Sequence, residues 1–157
     1  MGRASGVLMA VSSLPNSYGI GTFGKEAFDF IDFLVRTKQR YWQVLPLTTT
    51  SYGDSPYQSF SAAAGSPYYI DLKDLEKLGY LKSDDFEDIS FGTSNTCVDY
   101  GALFVNHRRL LNRAFDRFMQ DVPADFEKFC HDQAEWLDPY AEFMSLKEEF
   151  GHKAYWE

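Results

Sequence analysis

Thiols are scarce in this chain, two in 157 residues. Cys97 and Cys130 stand far apart with no CxxC pair and no companion ligands, which excludes a disulfide framework and a zinc site and leaves two reduced thiols. Histidine is as rare, at three. His107, His131 and His152 show no ligand spacing with carboxylates, so no metal is assigned and each is read as a helix-surface or packing residue. Positive charge is also short: 15 Lys and Arg against 23 Asp and Glu leave a net charge of -8, which repels phosphate backbones and excludes nucleic acid as a partner. Runs long enough to span a bilayer are missing. The apolar run Val7 to Val11 has no basic leader and no small-residue cleavage pattern behind it, and Gly6 breaks the acylation signal that Gly2 opens. A cytoplasmic chain with no membrane partner is expected. Aromatic residues, by contrast, are abundant at 17%, within an apolar share of 45% that suits a globular fold.

The unbroken run Val7 to Val11 predicts a parallel strand covered on both faces. Thr22 is placed to cap a helix to about Thr37 with Ala27, Phe30, Ile31, Leu34 and Val35 on one stripe. Tyr41 to Leu47 returns as a second apolar strand, so the first part reads as a β-α-β unit. From Thr48 to Pro67 runs a stretch rich in Ser, Thr, Tyr, Gly and Pro, much longer than a usual strand-to-helix connection, and loops of that length are commonly functional. Tyr68 to Ile70 reads as extended, and Asp71 as the cap of a short helix carrying Leu72, Leu75 and Leu78 that Gly79 ends. Ser83 to Asp88 reads as a polar connector of solvated charge. Leu103, Phe104, Leu110, Leu111, Ala114, Phe115, Phe118 and Met119 recur at helical spacing; Pro123 opens a further helix, and Asp138-Pro139 a third that Gly151 closes. Two strands followed by helices make a poor sheet, because a lone parallel pair leaves edges and apolar faces unpaired.

The densest pattern is Tyr41-Trp42-Gln43-Val44-Leu45-Pro46-Leu47 followed by Ser51-Tyr52-Gly53-Asp54-Ser55-Pro56-Tyr57-Gln58-Ser59-Phe60-Ser61-Ala62. Together with Ser12-Ser13-Leu14-Pro15, Tyr18-Gly19-Ile20-Gly21, Ile70-Asp71-Leu72, Val98-Asp99-Tyr100 and Tyr140 to Met144, it resembles the opening of the amylomaltase, or 4-α-glucanotransferase, family. The chain departs from that family's usual pattern at Thr48-Thr49-Thr50 and at Gly65-Ser66-Pro67.

The resemblance implies an α/β fold: the N-terminal part of a (β/α)8 TIM barrel, contributing its first two parallel strands, plus an inserted helical subdomain. Such a barrel needs about 250 residues, more than this chain has. Residues 1–80 would hold the first β/α units with the substrate loop, and residues 81–157 a mostly helical insertion truncated at its C-terminal end. The implied activity is transfer of α-1,4-glucan segments between maltodextrins, with maltooligosaccharides as partners and no cofactor. The oligomeric state is open. Tyr57 matches the family tyrosine at the subsite of cleavage, and Ser55 a hydrogen-bonding serine beside it. Tyr52 and Tyr100 match tyrosines of a second glucan site in some members. The family's catalytic carboxylates would lie beyond Glu157, so no catalytic residue is assigned and this stretch alone is expected to be inactive.

Tyrosine suits sugar recognition because its ring covers a pyranose C–H face while its hydroxyl meets the sugar's edge. Asp54, two residues before a proline, is read as bracing its own loop through backbone N–H groups. Trp42 and Trp136 are read as packing. Two alternatives stand beside this reading: another α-glucan-active hydrolase or debranching enzyme, and a non-catalytic glucan-binding module.

Overall fold

The computed structural model describes residues 2–51, 53–94 and 96–153. Strand β1 (Gly6–Leu8) pairs in parallel with β2 (Tyr41–Gln43), in the register Gly6 to Tyr41, Val7 to Trp42 and Leu8 to Gln43. Helix α1 (Lys25–Arg36) connects them, so the β-α-β unit forms as expected. Both strands are shorter than the apolar runs they overlap, and β1 begins one residue ahead of its run, at Gly6. After Leu8 one more bond, Met9 N–H to the Gln43 carbonyl at 2.9 Å, continues the pairing, and then Val11–Ser13 winds into a 3-10 turn. With no further strand paired on either side among the described residues, nothing prolongs the ladder, and Val11, Val44 and Leu47 fill core instead.

Helix α1 starts later than the sequence suggests, with Gly24 as its N-cap. Thr22 is committed elsewhere. Its buried hydroxyl donates to Asp71 Oδ2 at 2.5 Å and accepts from Asn16 Nδ2 at 3.2 Å and from the Gly24 N–H at 3.3 Å. A side chain at position 24 would collide with Asp71, since a Cβ there would sit 2.1 Å from Oδ2, and this close approach requires glycine. Of the expected stripe, Ala27 and Leu34 are buried and Phe30 is half-buried, whereas Ile31 and Val35 are exposed. Phe30 meets Trp42 edge to face at 5.0 Å, and the Trp42 indole N–H donates to the Met9 carbonyl at 2.8 Å, so Trp42 is a packing residue.

Residues Pro67–Tyr69 form a 3-10 turn, where an extended segment was expected; Pro67 at the first position presets the φ that such a turn needs. Helix α2 (Leu72–Lys77) follows as anticipated, with the Asp71 carboxylate accepting from the Asp74 N–H at 3.1 Å and Gly79 leaving the helix at φ 81°. One Asp71 carboxyl group therefore both caps α2 and anchors Thr22 at the entrance to α1.

The connector is not merely solvated. Asp85 is 11% exposed and is bonded to Arg117, through Nη1 at 2.5 Å and Nη2 at 3.0 Å, with Arg113 at 3.4 Å. The Arg117 hydrogen bond above all holds its carboxyl down at about 2. Both arginines also donate to backbone carbonyls, Arg117 to Tyr80 at 2.9 Å and Arg113 to Asp85 at 2.8 Å, which pins the connector to helix α3 (Tyr100–Phe118). Leu72, Leu81, Leu110 and Ala114 form the core here, with Tyr18, Phe86 and Phe91 packed against them.

Helix α4 (Ala124–Glu149) is one element of 26 residues, whereas the sequence suggested two meeting at Pro139. Proline removes one backbone donor, but Pro139 is exposed, so the carbonyl it leaves unpaired can be hydrated. Trp136 and Tyr140 also pack across that position, with ring centroids 6.4 Å apart. Contacts from Phe118 to Phe126 at 5.1 Å and from Arg108 to Glu148 at the other end make α3 and α4 an antiparallel hairpin.

Candidate functional site

The long loop after β2 doubles back on itself. At its base Thr48 and Gly65 form an antiparallel bridge, the Ser66 N–H donates to the Leu47 carbonyl at 2.9 Å, and the Thr49 N–H donates to Ala64 at 3.3 Å. Further out, the Ser51 N–H donates to Gln58 at 2.8 Å and the Gln58 N–H to Ser55 at 3.0 Å. Serine hydroxyls shape the return: Ser59 Oγ donates to the Ser61 carbonyl at 2.7 Å, and Ser61 Oγ accepts from Ala63 and Ala64 at 3.1 and 3.0 Å.

Tyr57 stands at the outer end of this loop, 74% exposed, on a turn in which its own N–H donates to Ser55 Oγ at 3.3 Å. Its ring and Phe60 help line a shallow cavity of about 360 Å³ with Pro46, Thr48, Pro56 and Ser59. An exposed tyrosine beside hydroxyl groups and a second aromatic ring is what a pyranose needs, an apolar face to lie on and donors and acceptors at its edge. The geometry thus brings Tyr57 and Ser55 together. Tyr52 lies outside the described residues.

Tyr100 is elsewhere. It opens α3 directly behind the Asp99 cap, and its ring lies 6.2 Å from that of Tyr68. Tyr68, Tyr69 and Tyr100 are half-buried together, and burial foremost raises each phenol above its ordinary value. The Asp54 carboxylate pushes Tyr68 and Tyr100 further in the same direction, while the Ser12 hydroxyl opposes the rise at Tyr69 and Tyr100. Asp54 is itself raised by burial. No backbone N–H among the described residues donates to its carboxyl group; the Asp54 N–H instead donates to Ser51 at 3.1 Å, with φ at 55°. Asp54 thus stands within electrostatic reach of a tyrosine cluster that the sequence did not announce. The adjacency of Tyr68 to Tyr69 and the distance of Tyr100 in the chain gave no periodic signal for it.

His107 lies beneath the same cluster, 1% exposed, with the Tyr68 ring edge-on at 5.8 Å. The Ile70 backbone lies beside the imidazole, yet neither ring nitrogen reaches hydrogen-bond geometry with a described residue. Burial therefore dominates and lowers the ring to about 4.

A larger hollow of about 860 Å³ lies between the loop after β1 and residues 89–98, lined by groups such as Ser12, Asn16, Glu26, Phe91 and Ser94. Of the residues singled out in the sequence, none of Ser55, Tyr57 or Tyr100 lines it. Among the described residues no group of three or more His, Cys, Asp or Glu is placed to hold a metal, Cys97 and Cys130 are free, and no helix is long and apolar enough to cross a membrane.

A family model described as 4-alpha-glucanotransferase matches residues 9–157. A 4-alpha-glucanotransferase of Streptococcus pneumoniae serotype 4 is 55% identical over 157 residues, which is 99% of this chain and 31% of that protein. One from Thermus thermophilus is 47% identical over 149 residues, 92% of this chain and 29% of the relative. Among solved structures, an amylomaltase from Streptococcus agalactiae in complex with acarbose aligns with a TM-score of 0.92 at 50% identity, over 98% of this chain and 31% of that one. The chain therefore spans about a third of the length of these relatives.

Proposed function

From the premise that this chain belongs to the 4-alpha-glucanotransferase family, we propose that the full-length polypeptide transfers α-1,4-glucan segments between maltodextrins. In this reading β1 and β2 are the first strands of a TIM barrel, residues 1–80 carry its first units, and residues 81–157 belong to a helical insertion. The enzyme works in the cytoplasm.

The reaction this implies keeps the anomeric configuration. A carboxylate attacks the anomeric carbon as the glycosidic bond breaks, a second carboxyl group protonates the leaving oxygen, and the resulting glycosyl-enzyme is then attacked by the 4-hydroxyl of another glucan, whose proton that second group takes back. Neither carboxyl group is assigned within these residues. What this chain contributes is recognition: the Tyr57 ring covers a sugar face and Ser55 fixes the turn beneath it. The observation that carries the reading is the exposed Tyr57 ring on a hydroxyl-lined cavity at the end of the β2 loop. Tyr52 and Tyr100 are the candidates for a second glucan contact.

Incubation with maltotriose tests it. The full-length polypeptide should yield glucose together with oligomers longer than the substrate, and the 157-residue chain neither. Glucose and maltose without longer products would make the protein a hydrolase. Sugar binding without any turnover by the full-length polypeptide would make it a binding module.

A further inference from the structure

The candidate cavity is built on a loop whose described hydrogen bonds, from residue 51 to residue 63, all run within the loop itself. Such bonds set its local turns and leave its orientation on the molecule to other contacts. One of those contacts comes from far along the chain. Phe60, in the cavity wall, lies 5.8 Å from Phe143 of α4 between ring centroids. Lys147, one turn further along the same helix, places its Nζ over the Phe60 ring at 4.9 Å from the centroid. The ammonium is in turn held by the carbonyls of His152 and Lys153 at 3.1 and 2.9 Å, in the chain that follows the end of α4.

We propose that Phe143 and Lys147 are positioning residues for the tyrosine loop, fixing Phe60 and through it the cavity that Tyr57 and Ser59 complete. The inference rests on the glucan-transfer reading for what the cavity binds. Three features favour positioning over incidental packing. Phe143 and Lys147 are four residues apart, so they present one face of α4 to one ring. The aromatic contact and the cation act on Phe60 together, and each is worth more where the other excludes water. The anchor also sits on a regular helix of 26 residues that the Arg108 to Glu148 ion pair ties to α3, whereas the loop's own described hydrogen bonds reach nothing outside it. Helix α4 would then decide where the sugar-covering ring stands without touching the sugar.

Hydrogen exchange and transfer kinetics on the full-length polypeptide test this together. In Phe143→Ala/Lys147→Met, the Gln58 and Ser61 amides should exchange at least about tenfold faster, while amides in Leu103 to Ala114 keep their wild-type rates. With maltotriose, KM should rise about five- to tenfold and kcat change less, because a misplaced wall weakens capture before it affects bond breaking. Phe143→Tyr/Lys147→Arg, which keeps ring and charge, should restore both readouts. Unchanged exchange at Gln58 and Ser61 in the first variant overturns the proposal. Faster exchange there with wild-type KM and kcat overturns it too, because the loop would then be held for nothing the reaction uses. The exchange arm needs no sugar, so a full-length polypeptide with no transfer would count against the glucan reading alone.

Discussion

Stability should fall as pH drops from 6.5 toward 4, and one side chain should account for most of the slope. His107 is buried and lowered to about 4, against an ordinary value of 6.5. Above pH 6.5 the ring is neutral whether the chain is folded or not, and it makes no pH-dependent contribution. Below 6.5 the unfolded chain takes up a proton that the folded chain refuses, so the unfolded state is favoured progressively until the folded ring also titrates near 4. The gap between the two values, at about 1.4 kcal/mol per pH unit, gives a loss of about 3 kcal/mol across that window. The ring is replaceable by an apolar group of similar size, because neither nitrogen has a partner among the described residues. His107→Leu should therefore lie within about 1.5 kcal/mol of wild type at pH 7 and exceed it at pH 4.5, with the slope gone. Denaturant melts between pH 7.5 and 4.5 on both proteins measure this, with the His107 ring proton followed by NMR in the folded state. A wild-type stability that is flat from 6.5 to 4.5, or a slope that survives in His107→Leu, would refute the reasoning.

The remaining expectations concern the sugar site, the Asp71 anchor and the Asp85 ion pairs. In the full-length polypeptide Tyr57→Ala should lower kcat/KM on maltotriose at least about tenfold, equivalent to about 1.4 kcal/mol, with Tyr57→Phe lying between it and wild type; wild-type turnover in Tyr57→Ala would remove the ring from the site. Asp71→Ala gives up a helix cap, about 1 kcal/mol, and leaves the buried Thr22 hydroxyl without its acceptor, so denaturant melts should show a loss of about 2–3 kcal/mol, and Asp71→Asn a smaller one. Asp85 is held down to about 2 from 3.8, so its contribution is complete above pH 3.8 and is lost as pH falls toward 2. Melts of Asp85→Asn should show lower stability than wild type at pH 5 and a difference that closes in acid, separately from the His107 window.

Local patterns carried further in the sequence than side-chain networks did. The β-α-β unit and the Asp71 cap follow from apolar runs and turn chemistry, because these are properties of neighbouring residues. Strand length was not legible in the same way, since it depends on what pairs alongside: Val11, Val44 and Leu47 are apolar enough for a ladder but are taken up as core. Pro139 misled because the rule against proline within helices describes an average cost, which an exposed position lowers and packing across it can offset. His107 was within reach. With Leu103, Leu110 and Ala114 it occupies spacings of four, three and four, and all four residues are buried. The Asp85 to Arg117 pair and the Asp54 tyrosine cluster were beyond reach, because each joins residues more than 30 positions apart with no repeat to announce the pairing.

Tyr57 and Asp54 make opposite bargains within one loop, and the pairing explains how the loop can be at once exposed and shaped. Tyr57 leaves most of its ring in water, which contributes little to folding and leaves the ring free for the sugar contact proposed above. Asp54 does the reverse. It takes a left-handed backbone angle that a residue other than glycine adopts only at a cost of about 1–2 kcal/mol, and it carries a partly desolvated carboxyl group beside Tyr68 and Tyr100. Gly53 before it is also left-handed, at φ 87°, so two consecutive residues turn the chain sharply ahead of Ser55. Strain of this kind survives only where the surroundings determine it, and here the turn is closed by the Asp54 N–H donating to the Ser51 carbonyl and the Gln58 N–H donating to the Ser55 carbonyl. The reverse turn is thus fixed by the backbone angles of Gly53 and Asp54 and by the bonds that close it, while Tyr57, three residues after Asp54, is delivered outward with its ring uncommitted to the core.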